Sequence, residues 1–359
     1  MIFFKKMIYF LKPLFSVVLG LGLGLVITKI AGEDPWNVLQ ILLKSAFGSR
    51  YDIGMTLFYS IPLVFTGLSV ALAFQAKLFN IGAEGQLAMG SIAAAAFGIY
   101  FPNIPFPVAP ILASICAFLV GAVWGAIPGW LRARRGSHEV INTIMLNFIA
   151  SGLTSWMTLY LFRNLDSQNP ETKAVGAGYW MPHLKIFGES PVSFSIFIAL
   201  FAAFCVWFFL WKTALGYEIR AVGQNESAAR TVGIDSAKIR ILVMAVAGGL
   251  SGLVATNEIL AHAGRFRLGF SPGYGFMGIA VALLGRNKPG GVVLAALLFG
   301  ALHKGTSDLD LETENVTRDL SQILQALIIL CVSAEGLWSF LLESSFGFKK
   351  KKKSEIRTL

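Results

Sequence analysis

The sequence predicts an all-α, polytopic membrane protein of about ten transmembrane helices. Three observations carry that expectation. Hydrophobic residues fill 55% of the 359 positions and charged residues only 14%, with a mean hydropathy of +0.66, whereas an ordinary soluble domain is roughly 25% charged. Apolar windows of about 20 residues, each able to cross a hydrocarbon core of about 30 Å, recur along the chain. They are continuous runs, not the ten-residue or so alternations of a barrel strand, so helices are the spanning structure that satisfies the backbone in lipid. Residues 1–359 therefore read as one transmembrane domain.

The first window, near 10–30, comes after Lys5 and Lys6. It is too long for a secretory h-region and lacks a convincing cleavage site, so it reads as a retained span. Four more fall near 55–75, 81–101, 108–131 and 138–162, and five near 191–211, 237–258, 272–285, 289–306 and 319–345. The eighth is short. With an even count and both termini cytoplasmic, twenty of the 30 basic residues fall inside, and the acidic run "SDLDLETEN" (Ser307 to Asn315) falls outside. That is the asymmetry of the positive-inside rule. Dropping the eighth span would put "KKKKK" (Lys349 to Lys353) outside, so it either crosses or re-enters as a half-helix. The tail, 346–359, reads as a basic cytoplasmic end beside anionic lipid.

Glycines indicate how the spans meet. Gly20 to Gly24 in "GLGLG", the series Gly121, Gly125 and Gly129, and the pair Gly248 and Gly252 place small residues four apart on one helix face. Such faces let helix backbones approach closely. The third span, "IGAEGQLAMGSIAAAAFG", and the stretch from the eighth span into the ninth, "MGIAVALLGRNKPGGVVLAALLFG", share small-residue density. The third and eighth lie five spans apart, which is compatible with a 5+5 inverted repeat.

Several function classes are disfavoured. The net charge of +10 comes from residues in short turns, not from a basic face with aromatic platforms, so nucleic acid is not an expected partner. Cys116, Cys205 and Cys331 lie in apolar runs and His138, His183, His262 and His303 are scattered, so neither a disulfide framework nor a metal site is expected. No H-E-x-x-H or G-x-S-x-G motif marks a membrane-embedded enzyme.

Between the sixth and seventh spans lies "WKTALGYEIRAVGQNESAARTVGIDSAKIRILV", Trp211 to Val243, whose part 212–236 is the longest internal cytoplasmic loop. Asn225 is placed to cap a short helix through Ala228, Ala229 and Arg230, and Gly233 to stop it. The helix is either a connector or a handle for a cytosolic partner. No G-x-x-x-x-G-K-[ST] phosphate loop is present, so any nucleotide hydrolysis belongs to another polypeptide.

"AVGQNESAARTVGI" resembles the cytoplasmic coupling segment of ABC-importer permeases, with Ala221, Gly223, Asn225, Ala228, Ala229 and Gly233 at the matching positions. Ser227 and the absence of a downstream Leu-Pro depart from the common version and fit the sugar, nucleoside and branched-chain amino-acid branch. "FNIGAEGQLAMG" (Phe79 to Gly90) and "GIAVALLGRNKPGG" (Gly278 to Gly291) further resemble permeases of nucleoside importers that use basic-membrane-protein-type binding lipoproteins. The resemblance covers roughly residues 10–345. It implies a multi-pass protein of a bacterial cell membrane, with no cofactor of its own. Its expected partners are a cytosolic ATPase that binds ATP and Mg, a second related permease, an extracytoplasmic substrate-binding lipoprotein and a nucleoside. Sugar or branched-chain amino-acid permeases share the architecture. An ion-coupled secondary transporter is the other alternative, with Glu84 and Glu335 as its only carboxylates well within spans.

An ionisable group inside a span costs about 2.5 to 3.5 kcal/mol at a helix centre on insertion scales unless it faces the bundle or water. Glu84, about 6 Å along the helix from Asn80, should therefore face inward with Asn80. Asn80, Glu84 and Gln86 either bond across helices and fix the turn after Lys77, or line the permeation path. Asn142 and Asn147, Asn257 and Glu258 at the end of the seventh span, and Tyr274 at the start of the eighth are further candidates for that path, and Trp124 or Tyr274 could stack on a base.

Overall fold

The computed structural model describes residues 2–313 and 320–333. Helix α1 (Ile2–Ile30) is succeeded by α2 (Pro35–Phe47), where Asp34 accepts from the Trp36 amide at 3.1 Å and Pro35 supplies the preset φ of a first helical residue. Val38, Ile41, Leu42 and Ala46 make its buried face. At 13 residues α2 is about 20 Å long, in a region where the sequence predicts only a connection between spans.

α3 (Arg50–Gln75) is the central post, with Phe65, Leu68 and Leu72 fully buried. A turn leads to α4 (Ala83–Tyr100), then α5 (Val108–Arg135) and α6 (Glu139–Trp156), which continues as a π-helical turn to Leu161. Residues 163–194 form no long helix and contribute Arg163–Thr172 and His183–Ser193 bridges. They also pin residues 264–267: Thr172 donates to the Phe266 carbonyl at 2.9 Å, Val175 to Gly264 at 2.8 Å, and Glu171 pairs with Arg265 and Arg267 at 2.7 and 3.1 Å.

α7 (Ser195–Lys212), α8 (Ala214–Gln224), α9 (Glu226–Thr231) and α10 (Ser236–Gly252) come next. α10 runs on through α11 (Ala255–Asn257) and a second π turn, Glu258–Ala263. α12 (Tyr274–Leu284), α13 (Pro289–Ser307), α14 (Leu309–Glu312) and α15 (Leu320–Ser333) complete the described chain. α5 and α10 pack backbone to backbone along the predicted glycine face. A methyl group added to Gly121 would lie 2.5 Å from the Gly248 carbonyl oxygen, and one added to Gly125 would lie 3.0 Å from the Gly248 Cα.

The protein is thus an all-α, multi-pass membrane protein. The count differs from the expectation: six described helical stretches, not ten, are long and apolar enough to cross a membrane. They are Arg50–Gln75, Val108–Arg135, Glu139–Leu161, Ser195–Lys212, Ser236–Ala263 and Pro289–Ser307. The shortfall has physical causes. α4 has the length but dilutes its apolarity with Glu84, Gln86 and glycines. α12, over the predicted eighth span, has only 11 residues. The apolar stretches Phe15–Ile30 and Gln322–Cys331 are each shorter than 18 residues. Glu335 and the basic tail at 346–359 lie outside the described residues.

Candidate functional site

The segment after α3 folds back into the bundle. Asn80 donates to Ser69 Oγ at 3.0 Å, and Ser69 lies six residues before the end of α3, about 9 Å along it. Asn80 is also paired amide to amide with Gln86, by bonds of 2.8 and 3.0 Å in opposite directions. Both are fully buried and face each other. Asn80 is therefore in the loop before α4, not on a helix face with Glu84 as the spacing suggested; its partner is reached by the chain folding back.

Glu84, in the first turn of α4, reaches α12. Its Oε2 accepts from the Gly275 amide at 2.7 Å, and Ser271 caps the same helix by accepting from the Gly273 and Tyr274 amides at 3.2 and 3.0 Å. A carboxylate is favourable there because the first amides of a helix are unpaired and carry its positive end. The two helix starts touch: a methyl group on Gly275 would lie 2.6 Å from the Glu84 Cα. Asn147 of α6 completes the junction, accepting from the Gly85 amide and donating to the Ile81 carbonyl, both at 2.9 Å. Three helices thus meet at the start of α4.

Beside this junction lies a cavity of about 190 Å³ lined by Glu84, Asn147, Ser151, Ser155, Phe270 and Ser271, among others. Tyr274 is not in its wall; it is buried with its hydroxyl on Glu258. Asn142 is apart from the junction, donating to Ser137 Oγ at 2.6 Å near the start of α6. Asn257 ties Ser195 to the Phe58 carbonyl, at 3.1 and 3.4 Å, in a separate buried network. Sequence reasoning missed Ser151 and Ser155. Their spacing from Asn147, four and eight residues, was the available signal, since it keeps them on one helical face.

The second constellation is the elbow made by α8 and α9. Asn225 accepts from the Ala228 amide at 3.2 Å as an N-cap, and Gly233, at φ +87°, stops α9 in the left-handed region that glycine favours. Ala229 is buried, while Ala228, Thr231 and Val232 are exposed. Gly223 lies against the end of α3, where an added methyl would collide with the Gln75 carbonyl oxygen and lie 2.9 Å from its carbon. Ala221 packs against the main core. Lys77 Nζ donates to the Gln224 carbonyl at 3.2 Å, and Gln75 Nε2 donates to the Asn287 carbonyl at 2.9 Å in the α12–α13 turn.

Glu226 locks α9 to α10. It accepts from Arg230 at 2.7 Å and Ser236 at 3.0 Å, and pairs with Arg240. Partial burial works against its charge, but the Ser236 hydroxyl and the Arg240 and Arg230 guanidiniums outweigh it and hold the carboxyl below its ordinary value. A depressed folded-state pKa contributes stability that is present above the unfolded carboxylate pKa, about 4.3, and lost as pH falls through the folded value. Limited proteolysis within 224–236 is therefore expected to accelerate below about pH 4, and Glu226→Gln to show the faster cleavage already at neutral pH.

Residues 53–333 match the family model described as branched-chain amino acid transport system / permease component. The guanosine ABC transporter permease protein NupP of Bacillus subtilis is 38% identical over 97% of this chain and 99% of its own length. The nucleoside ABC transporter permease protein NupB of Lactococcus lactis is 35% identical over 96% and 97%. The glucose ABC transporter permease protein TsgB13 of Haloferax volcanii is 32% identical over 94% and 88%. With a family match over most of the chain and relatives of this identity over nearly its whole length, the protein belongs to the branched-chain amino acid transport system permease family.

Proposed function

We propose that this chain is the transmembrane permease of an ATP-binding-cassette importer that carries nucleosides, purine nucleosides first among them, across the plasma membrane. The substrate reading rests on relatives named for guanosine and nucleosides at 38% and 35% identity. A simple sugar is the second reading, favoured by the glucose permease at 32%.

In this reading both termini and the α8–α9 elbow face the cytoplasm, and the elbow docks on a separate ATPase that binds ATP and Mg. A second related permease completes the pathway, and an extracytoplasmic binding lipoprotein delivers the substrate. The observation that carries the mechanism is a continuous line of contact. Gly223 of α8 rests on Gln75, Gln75 holds Asn287 at one end of α12, and Gly275 at the other end holds Glu84 at the cavity. α12 is a rod of 11 residues, about 16 Å long. Movement of the elbow on ATP binding would reach the cavity along it, as alternating access requires. α4 and α12, the third and eighth predicted spans, meet start to start at Glu84 and Gly275, as an inverted repeat about an in-plane axis would place them.

The test is reconstitution of this chain with its candidate ATPase, second permease and binding protein in liposomes, measuring guanosine and glucose uptake. Guanosine uptake that requires ATP, Mg and the ATPase is the expected result. Uptake of glucose without guanosine would select the sugar reading. Uptake by this chain alone on a proton or sodium gradient would contradict both.

A further inference from the structure

α6 is the least covered of the six long apolar stretches, with 17% of its most apolar window buried in the protein. Its serine and threonine side chains divide into two sets. Thr143, Thr154 and Thr158 turn back on their own helix and donate to the carbonyls of Glu139, Ala150 and Thr154, at 2.8, 2.9 and 2.7 Å. That is the usual way a hydroxyl is satisfied in a helix. Ser151 and Ser155, on the cavity side, have no hydrogen-bond partner among the described residues for their own hydroxyls, and Ser151 is exposed. A methyl group added to the neighbouring Gly152 would meet nothing within 4 Å.

The two serines are one helical turn apart, about 5–6 Å between Cβ atoms. Along the wall from them stand Asn147, whose carbonyl oxygen and amide are held by the start of α4, and the Glu84 carboxylate, held by Gly275. The groups left free at this wall are therefore small neutral hydroxyls, able both to donate and to accept. Phe270 adds an apolar surface on the other side, with its ring edge-on to Phe266 at 5.2 Å. A neutral polyol joined to a flat apolar group matches that set; an anionic substrate has no counter-charge there, since the ionisable side chain in the lining is the carboxyl of Glu84.

We infer that Ser151 and Ser155 are specificity-determining residues that bind the ribose hydroxyls of the passing nucleoside, with the base toward Phe270. The inference rests on the nucleoside reading proposed above. A site that hydrogen-bonds a substrate hydroxyl rejects the analogue that lacks it, because its own polar groups are then left unpaired.

The experiment uses the complete reconstituted importer and binding protein loaded to saturation with guanosine or 2′,3′-dideoxyguanosine. The readout is the ratio of their maximal uptake rates, in the parent and in Ser151→Ala with Ser155→Ala. The parent is expected to favour guanosine and the double variant to lose about tenfold of that preference. Ser151→Thr with Ser155→Thr, which keeps the hydroxyls, is expected to restore part of it. An unchanged ratio, or equal loss for both nucleosides with the complex assembled, would overturn the inference while leaving the nucleoside reading intact. A parent importer that moves no nucleoside at all would overturn both.

Discussion

Gly223→Ala is expected to cut ATP-driven uptake by about tenfold or more and to loosen α8 from the end of α3, at a cost of about 1–3 kcal/mol for an overpacked contact. The reason is local and severe. The added methyl has no room before the Gln75 carbonyl group and would sit 3.2 Å from the Ala76 Cα. Backbone cannot swing aside as a long side chain can, so α8 itself must shift. That shift breaks the contact through which the elbow reaches Gln75, Asn287 and α12. Gly290→Ala is the control: it lies in the first turn of α13, and its added methyl meets nothing within 4 Å. Uptake and thermal unfolding of the detergent-solubilised complex check both variants. Normal uptake by Gly223→Ala would remove this contact from the coupling route.

The second large effect is expected at Glu84. Glu84→Ala leaves the Gly275 amide without its acceptor, and an unpaired buried donor costs about 1–3 kcal/mol. Glu84→Gln keeps an acceptor oxygen, so the junction of α4 with α12 survives, but the charge at the cavity and at the α12 start is gone. Both variants are expected to lose uptake by about tenfold or more, and only the alanine variant is expected to lose assembly as well. Co-purification with the ATPase measures assembly, and uptake by proteoliposomes measures transport. Full uptake by Glu84→Gln would make the residue purely architectural.

Local chemistry was legible in the sequence wherever one residue type decides one local geometry. Asn225 and Gly233 mark the ends of α9 because a short polar side chain caps a helix start and glycine accepts a left-handed turn. Gly121, Gly125, Gly248 and Gly252 mark the α5–α10 seam because nothing larger permits that approach. Tertiary choices were not legible. Asn80 reads as a helical neighbour of Glu84, but its bonds to Ser69 and Gln86 require the chain to double back, which spacing cannot encode. α2 is hidden because Asn37, Gln40 and Lys44 interrupt its apolar content, although its buried residues keep helical spacing. The eighth span reads as a short crossing or half-helix, and its 11-residue helix starts inside the bundle against Glu84. For Ser151 and Ser155 the signal is only their helical spacing from Asn147, which is weak because serine in a membrane helix ordinarily bonds to its own backbone. Only the fold separates them from Thr143, Thr154 and Thr158.

Val232, 74% exposed beyond α9, offers the most direct measurement of whether force enters this chain at the elbow. In a background freed of Cys116, Cys205 and Cys331, Val232→Cys is to be treated with a membrane-impermeant maleimide in inside-out and right-side-out vesicles, with and without the ATPase. Labelling restricted to inside-out vesicles and blocked by the bound ATPase is the predicted result. Labelling from the external face, or undiminished labelling with the ATPase bound, would contradict it.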